Sequence, residues 1–253
     1  MDLGLKGRKA ILVGASHGIG LATAKVLAAE GCDVALCSRS KDSVDAAVTA
    51  IAGGEGKVVG GVVDVTDSPV HSAWIESAAN EIGGCDIFIP FTSTNTGVDD
   101  EAGWRAVFET DILPLQRGVQ AALPFLRKSD AAAIVTISST AALEEFMGPG
   151  AYNALKAAVI NYSAALAQKH APEGIRVNCI SPGPVEMEGR AWDQIKDAMP
   201  DFYKGILAQI PLGRMGTGEE LARAIAFVAS PTCRYMTGAN LLIDGGFTKG
   251  VQF

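Results

Sequence analysis

Short apolar runs rich in β-branched residues alternate along this chain with longer stretches whose apolar positions recur every three or four residues. The short runs are Lys9–Gly14, Asp33–Ser38, Lys57–Val63, Asp86–Pro90, Ala131–Ser139, Ile175–Ser181 and Asn240–Asp244. The longer ones include Gly20–Glu30, Val70–Glu81, Gly103–Arg127 and Tyr152–His170. The short runs predict strands buried on both faces, and the longer stretches predict amphipathic helices. Strands of that kind separated by helices dictate a parallel sheet covered on both sides, a doubly wound α/β architecture. No internal repeat, low-complexity tract or long linker divides residues 1–253, so the pattern predicts one domain with about seven strands. The least regular stretch, Pro184–Pro211, carries Met187, Trp192, Met199, Phe202 and Tyr203. It reads as a lid over a ligand cleft, a surface excursion or a subunit contact.

Composition narrows the class of function. The 253 residues are 48% hydrophobic and 19% charged, which is compatible with some surface being covered between subunits. A net charge of −7 with no basic arm or basic run argues against nucleic-acid and anionic-membrane partners. No apolar run approaches the roughly twenty residues needed to span a bilayer, and residues 1–6 carry no secretory pattern, so the expectation is a cytoplasmic protein. The five cysteines, at 32, 37, 85, 179 and 233, are scattered without a Cys-x-x-Cys pair and predict free buried thiols. The three histidines, at 17, 71 and 170, lack metal-ligand spacing, and no metal is expected.

Three places carry chemistry. The first strand runs into Gly14, Ser16, His17, Gly18, Ile19 and Gly20 and then directly into a helix. Glycines there allow a tight turn and let backbone N–H groups meet a pyrophosphate at the positive end of that helix. At the end of the second strand, where a dinucleotide's adenosine ribose would lie, stand Ser38 and Arg39 instead of an acidic residue. A forked guanidinium suits a 2′-phosphate, which favours NADP(H) over NAD(H), although Arg39 is also readable as a solvated loop charge. Asp64, after the third strand, is an acceptor for an adenine amino group or a cap for the next helix. Finally, Tyr152 and Lys156 are one helical turn apart, and Ser139 ends a buried strand. A cation beside a phenol favours the phenolate, which makes the pair usable as acid and base near neutrality.

In this order, Gly14-x-x-x-Gly18-Ile19-Gly20, Asp64, Ser139, Tyr152-x-x-x-Lys156, Ser181-Pro182-Gly183 and Asp244-Gly245-Gly246 resemble the short-chain dehydrogenase/reductase family over essentially the whole chain. The resemblance implies a Rossmann-type domain and an oxidoreductase that interconverts a secondary alcohol and its ketone. It implies Tyr152 as the proton donor and acceptor and Lys156 as the group that favours the phenolate and holds the nicotinamide ribose. Ser139 would position the substrate oxygen. Pro182, Gly183 and Val185 would lie beside the nicotinamide carboxamide, Asp64 with Val65 beside the adenine, and Ser16 with His17 near the 2′-phosphate. It also implies a homodimer or homotetramer built through the helices of Gly103–Arg127 and Tyr152–His170.

The chain departs from the family pattern at three places. Pro90, Phe91, Thr92 and Ser93 replace Asn-Asn-Ala-Gly, Asp111 stands where a fourth catalytic residue is usually asparagine, and Met187 replaces a threonine. The set Phe146, Met147, Met187, Trp192, Phe202 and Tyr203 near the expected cleft suggests a fairly apolar small carbonyl or alcohol substrate. A 3-oxoacyl thioester reductase is an alternative, with Arg127 and Lys128 able to meet an acidic carrier protein, against which stands Glu173. A catalytically silent NADP(H)-binding protein is another.

Overall fold

The computed structural model describes residues 2–94, 97–187, 189 and 191–251. The first half of the chain runs β1 (Lys9–Val13), α1 (Gly18–Ala29), β2 (Asp33–Ser38), α2 (Lys41–Ile51), β3 (Val58–Val62), α3 (Ser68–Ile82) and β4 (Ile87–Pro90). Next come α4 (Glu101–Val107), α5 (Leu113–Leu126), β5 (Ala133–Ile137), α6 (Ala151–His170) and β6 (Arg176–Pro182). The remainder is β7 (Val185–Glu186), α7 (Ala191–Ala198), α8 (Pro200–Leu207), β8 (Gly216–Thr217), α9 (Gly218–Ala229) and β9 (Asn240–Ile243).

Seven strands pair in parallel in the order β3-β2-β1-β4-β5-β6-β9, and β7 pairs with β8 apart from them. Because successive strand side chains point to opposite faces, each strand feeds two apolar layers. Ile11, Val13, Phe88, Ile134 and Val177 meet α3, α5 and α6, whereas Leu12, Leu36, Ile89, Val135 and Ile180 meet α1, α2 and α9. The central strands are therefore covered on both faces, as the uninterrupted apolar runs predict, whereas the edge strands β3 and β9 are only partly buried. Helix α5 approaches the sheet closely through Gly118, where a Cβ would come within 2.7 Å of the Phe88 ring.

Two parts of the pattern differ from the structure. The stretch Gly103–Arg127 is not one even helix: a wide π turn, Phe108–Ile112, separates α4 from α5. Pro114 supplies the reason, since it has no N–H to offer the carbonyl four residues back. The Leu113 N–H instead reaches five residues back to the Phe108 carbonyl. The segment Pro184–Pro211 is more regular than expected, holding β7, α7 and α8, with Glu188 and Arg190 outside the described residues. It is tied down by Glu186, which accepts hydrogen bonds from Lys196 (2.8 Å) and the Tyr203 hydroxyl (3.1 Å). All five cysteines are buried and free, and burial pushes the Cys37 thiol up to about 12.

Helix α3 carries His71, fully buried, with neither ring nitrogen hydrogen-bonded among the described residues. Burial, and secondarily the charge of Arg117 on α5, pushes it down from 6.5 to about 4. The folded chain then refuses a proton that the unfolded chain accepts, so stability held above pH 6.5 is lost as pH falls toward 4. The expected loss is roughly 2–3 kcal/mol between those limits. Denaturant titrations at pH 7 and pH 4.5 check it: His71→Leu is expected to show a flatter pH dependence than the wild type.

Candidate active site

The sheet order reverses between β1 and β4, and the crevice at the carboxyl ends of those strands is where a doubly wound sheet binds ligands. The loops that follow the strands, and the helices and π turn those loops lead into, carry most of the residues singled out from the sequence. After β1, Gly14 turns the chain with φ of 76°, and a Cβ there would sit 2.9 Å from the Thr92 methyl and 3.1 Å from its backbone nitrogen. Gly20 has the same constraint, its Cβ position being 2.8 Å from Ala15 Cα. The turn and the β4 loop are thus packed backbone against backbone. Helix α1 begins at Gly18 with His17 as its N-cap and no side-chain cap bond, so the N–H groups of Gly18, Ile19 and Gly20 open its first turn. By contrast, α2, α3, α4 and α9 are capped by Ser40, Asp67, Asp100 and Thr217.

Beside this turn is a cavity of about 130 Å³ lined by Gly14, His17, Ser38, Arg39, Asp64, Val65, Thr92 and Ser93, among others. Arg39 is exposed and enters no hydrogen bond or ion pair among the described residues, leaving its five N–H donors for solvent or a ligand. The Thr66 N–H (2.9 Å) and hydroxyl (2.7 Å) both reach Asp64 Oδ1 and hold its carboxyl below the usual range. Asp64 therefore caps its own turn, while Asp67 caps α3. Two hydroxyl oxygens at the cradle, Ser16 Oγ and Thr92 Oγ1, are buried without a hydrogen-bond partner among the described residues. Buried hydroxyls are expensive to leave unpaired, and these fit the polar surface of a dinucleotide. Thr92 was singled out from the sequence as a departure from alanine, without a place in the cradle assigned to it.

A second cavity, of about 410 Å³, is lined by Ser139, Tyr152, Asn153, Gly183, Phe146, Trp192 and Phe247, among others. Ser93 belongs to the walls of both cavities, so the two adjoin at the β4 loop. Tyr152 lies in the first turn of α6, whose path along β5 is fixed by hydroxyls. Ser138 Oγ donates to the Lys156 carbonyl (2.7 Å), and Thr136 and Ser163 bond to each other (2.6 Å). Lys156 Nζ lies 5.6 Å from the centre of the Tyr152 ring and donates to the Ile137 carbonyl at 3.2 Å. Its ion-pair partner is Asp111, with Nζ 3.1 Å from Oδ2, off the axis of an aligned hydrogen bond. The side chains of Lys156 and Asp111 are only 4% and 1% exposed. Asp111 Oδ1 accepts the Thr94 N–H at 2.8 Å, linking the pair to the β4 loop. Asp111 itself sits in the π turn, whose extra residue turns it inward.

Other expectations are redistributed. Phe146, Met147 and Trp192 line the cavity, but Phe202 stacks behind Trp192 at 6.5 Å and Tyr203 is buried against Glu186. Met187 does not line it: its side chain lies against Gly18 and Gly218. Pro182 ends β6 and Val185 begins β7, on either side of Gly183, which lines the cavity. Phe247 enters the wall unforeseen. Its position follows from Asp244, which accepts the N–H groups of Gly246 and Thr248 (both 2.9 Å) and so folds the chain back. A larger hollow of about 720 Å³ lies at the opposite, amino ends of the strands, but there Arg8 is paired with Asp130 and Asp86.

The sheet order and the crevice define a Rossmann-type α/β protein. A protein-family model described as enoyl-(acyl carrier protein) reductase matches residues 14–248. Isoepoxydon dehydrogenase patN of Penicillium expansum is 33% identical over 257 positions, covering 100% of this chain and 99% of that protein. The 3-oxoacyl-(acyl-carrier-protein) reductase FabG of Escherichia coli is 33% identical, covering 96% and 98%. The crystal structure of L-sorbose reductase from Gluconobacter frateurii, complexed with NADPH and L-sorbose, superposes with a TM-score of 0.91 at 29% identity, covering 99% and 100%. The chain belongs to the short-chain dehydrogenase/reductase family and is an oxidoreductase acting on CH–OH or keto groups.

Removing one member of a buried ion pair leaves the other charge uncompensated. Asp111→Ala is expected to cost about 3–5 kcal/mol of stability, measured by denaturant unfolding. Asp111→Asn, which keeps an acceptor, is expected to lose less.

Proposed function

We propose that this chain is an NADP(H)-dependent oxidoreductase that interconverts a secondary alcohol and its ketone, with Tyr152 as general acid and base. The observation that carries the reading is the placement of Tyr152 and Ser139 on one cavity that adjoins, at Ser93, a second cavity bearing Arg39. The sorbose reductase to which the chain is similar was crystallised with NADPH, which favours the same cofactor.

Bound NADP(H) supplies or takes up hydride at the carbinol carbon. The chain's own residues handle the oxygen. Ser139 Oγ accepts the Ala141 N–H at 3.2 Å and so keeps its own proton to donate to the substrate oxygen. Tyr152 gives its hydroxyl proton to that oxygen during reduction and takes it back during oxidation. The Lys156 ammonium spends donors on Ile137 and Asp111, leaves one for the ribose hydroxyls, and places positive charge beside the phenolate. Asp111 holds Lys156 in place as the fourth member of the set. On the cofactor side, Gly14, Ser16, Gly18, Ile19 and Gly20 would hold the pyrophosphate, with His17, Ser38 and Arg39 toward the 2′-phosphate. Asp64 and Val65 would flank the adenine, and Pro182, Gly183 and Val185 the carboxamide.

The substrate is a compact carbonyl or alcohol with an apolar side against Phe146, Trp192 and Phe247. Of the two basic residues the acyl-carrier reading would use, Arg127 is paired with Glu173 at 2.6 Å, whereas Lys128 is exposed and lies over the Phe125 ring. Residues 1–253 act as one unit in a cytoplasmic homodimer or homotetramer. Trp104 and Phe108, 40% and 42% exposed, lie beside Leu155 of α6 on the face such an assembly would cover.

NADPH fluorescence followed against a ketone panel tests the reading. Tyr152→Phe is expected to lower kcat about 100- to 10,000-fold with an unchanged Kd for NADPH; an unchanged kcat refutes the role. Arg39→Asp is expected to weaken NADPH binding about tenfold or more relative to NADH. An unchanged Kd ratio removes Arg39 from cofactor selection.

A further inference from the structure

Among the described non-glycine residues, Met147 alone has a left-handed backbone, with φ of 61°. That conformation is unfavourable for a residue with a Cβ, and Met147 is 61% exposed, so packing does not hold it there. Hydrogen bonds from outside the turn do. Asn153 Nδ2 donates to the Phe146 carbonyl at 2.9 Å and to the Gly148 carbonyl at 3.4 Å, one on each side of Met147. Glu145 Oε1 accepts the Gly148 N–H at 2.6 Å and closes the turn below.

Asn153 directly follows Tyr152 on α6, and both line the 410 Å³ cavity with Phe146 and Met147. The helical turn that presents the phenol therefore also fixes one wall of the pocket. Phe146 then orders its neighbours, meeting Trp192 at 6.3 Å and Phe247 edge-on at 6.0 Å. The three rings form a corner rather than a slot, and a corner discriminates by shape.

We propose that Asn153 is the positioning residue for substrate selectivity, holding the Phe146–Gly148 turn left-handed and thereby fixing the aromatic corner beside Tyr152. The inference rests on this cavity being the substrate site. A pocket wall displaced by the width of a methylene changes discrimination by about 10- to 200-fold. The effect falls on substrate fit and leaves the cofactor cradle untouched, since no atom of the turn lines the cavity that bears Arg39.

The test uses the full-length enzyme with whichever ketone, from a panel of cyclic and open-chain members, the wild type reduces best. Asn153→Ala is expected to raise KM about tenfold, with kcat within about twofold and the NADPH Kd unchanged. Asn153→Asp, which cannot donate to the two carbonyls, is expected to behave like Asn153→Ala. The double variant Asn153→Ala/Met147→Gly is expected to recover most of the lost KM, because glycine adopts the left-handed turn without the clamp. An unchanged KM in both single variants overturns the proposal. So does a failure of Met147→Gly to rescue, or a parallel loss of NADPH binding. A wild type that reduces no ketone and is indifferent to Tyr152→Phe refutes the underlying site reading instead, and is told apart by that control.

Discussion

The ion pair between Lys156 and Asp111 is the constraint on which the site depends. Both charges are nearly cut off from water, so each is tolerable chiefly while the other is in place. Keeping them 3.1 Å apart requires three separate elements to hold position. Helix α6 must be locked to β5 by Ser138 and Ser163, the π turn must direct Asp111 inward, and the β4 loop must deliver the Thr94 N–H. Each is a hydrogen-bond or chain-geometry condition met by the chain's own residues. The charge beside Tyr152 is thus preorganised, the condition under which electrostatic groups contribute most to a reaction.

The same loop couples the two cavities. Phe91 packs against the start of α1, where a Cβ on Gly20 would come within 3.2 Å of its ring. Thr92 lies on Gly14 with a hydroxyl unpaired among the described residues, Ser93 stands in both walls, and Thr94 bonds Asp111. Four consecutive residues thereby span the cradle, the junction and the ion pair. A substitution here would be felt at both ends of a bound dinucleotide, whereas the Asn153 clamp acts on the substrate side alone.

Strands were legible because burial on both faces leaves a plain apolar run, and the glycine turn, Ser139, Tyr152 and Lys156 because their chemistry requires those residue types at that spacing. Helices α2 and α9, which were not singled out from the sequence, carry a cap, Ser40 and the Thr217–Glu220 box, and a buried stripe, Val44, Ala47 and Ile51 in α2 and Leu221, Ala222, Ile225 and Ala226 in α9. The π turn was written only as Pro114 within a helical pattern, and its consequence, a carboxylate turned onto Lys156, needs the third dimension. The places of Phe247 and Thr92 were illegible for a similar reason. Each residue is brought to the site by the folding of distant segments, Phe247 through Asp244 and Thr92 through the approach of Gly14. Conversely, Met187, Phe202 and Tyr203 are aromatic or flexible apolar residues near the cleft in sequence that serve packing.

The central claim is that a nicotinamide bound in this crevice faces the carbon whose oxygen Tyr152 and Ser139 hold. Single-turnover reduction of a ketone by stoichiometric NADPH carrying deuterium at the reduced C4 tests it most directly, with the alcohol analysed by mass spectrometry and NMR. The account predicts that one stereospecific C4 label appears on the carbinol carbon and that D₂O labels only the exchangeable hydroxyl. Tight NADPH binding with no transfer to any ketone of the panel, or a carbinol hydrogen drawn from solvent, would contradict it.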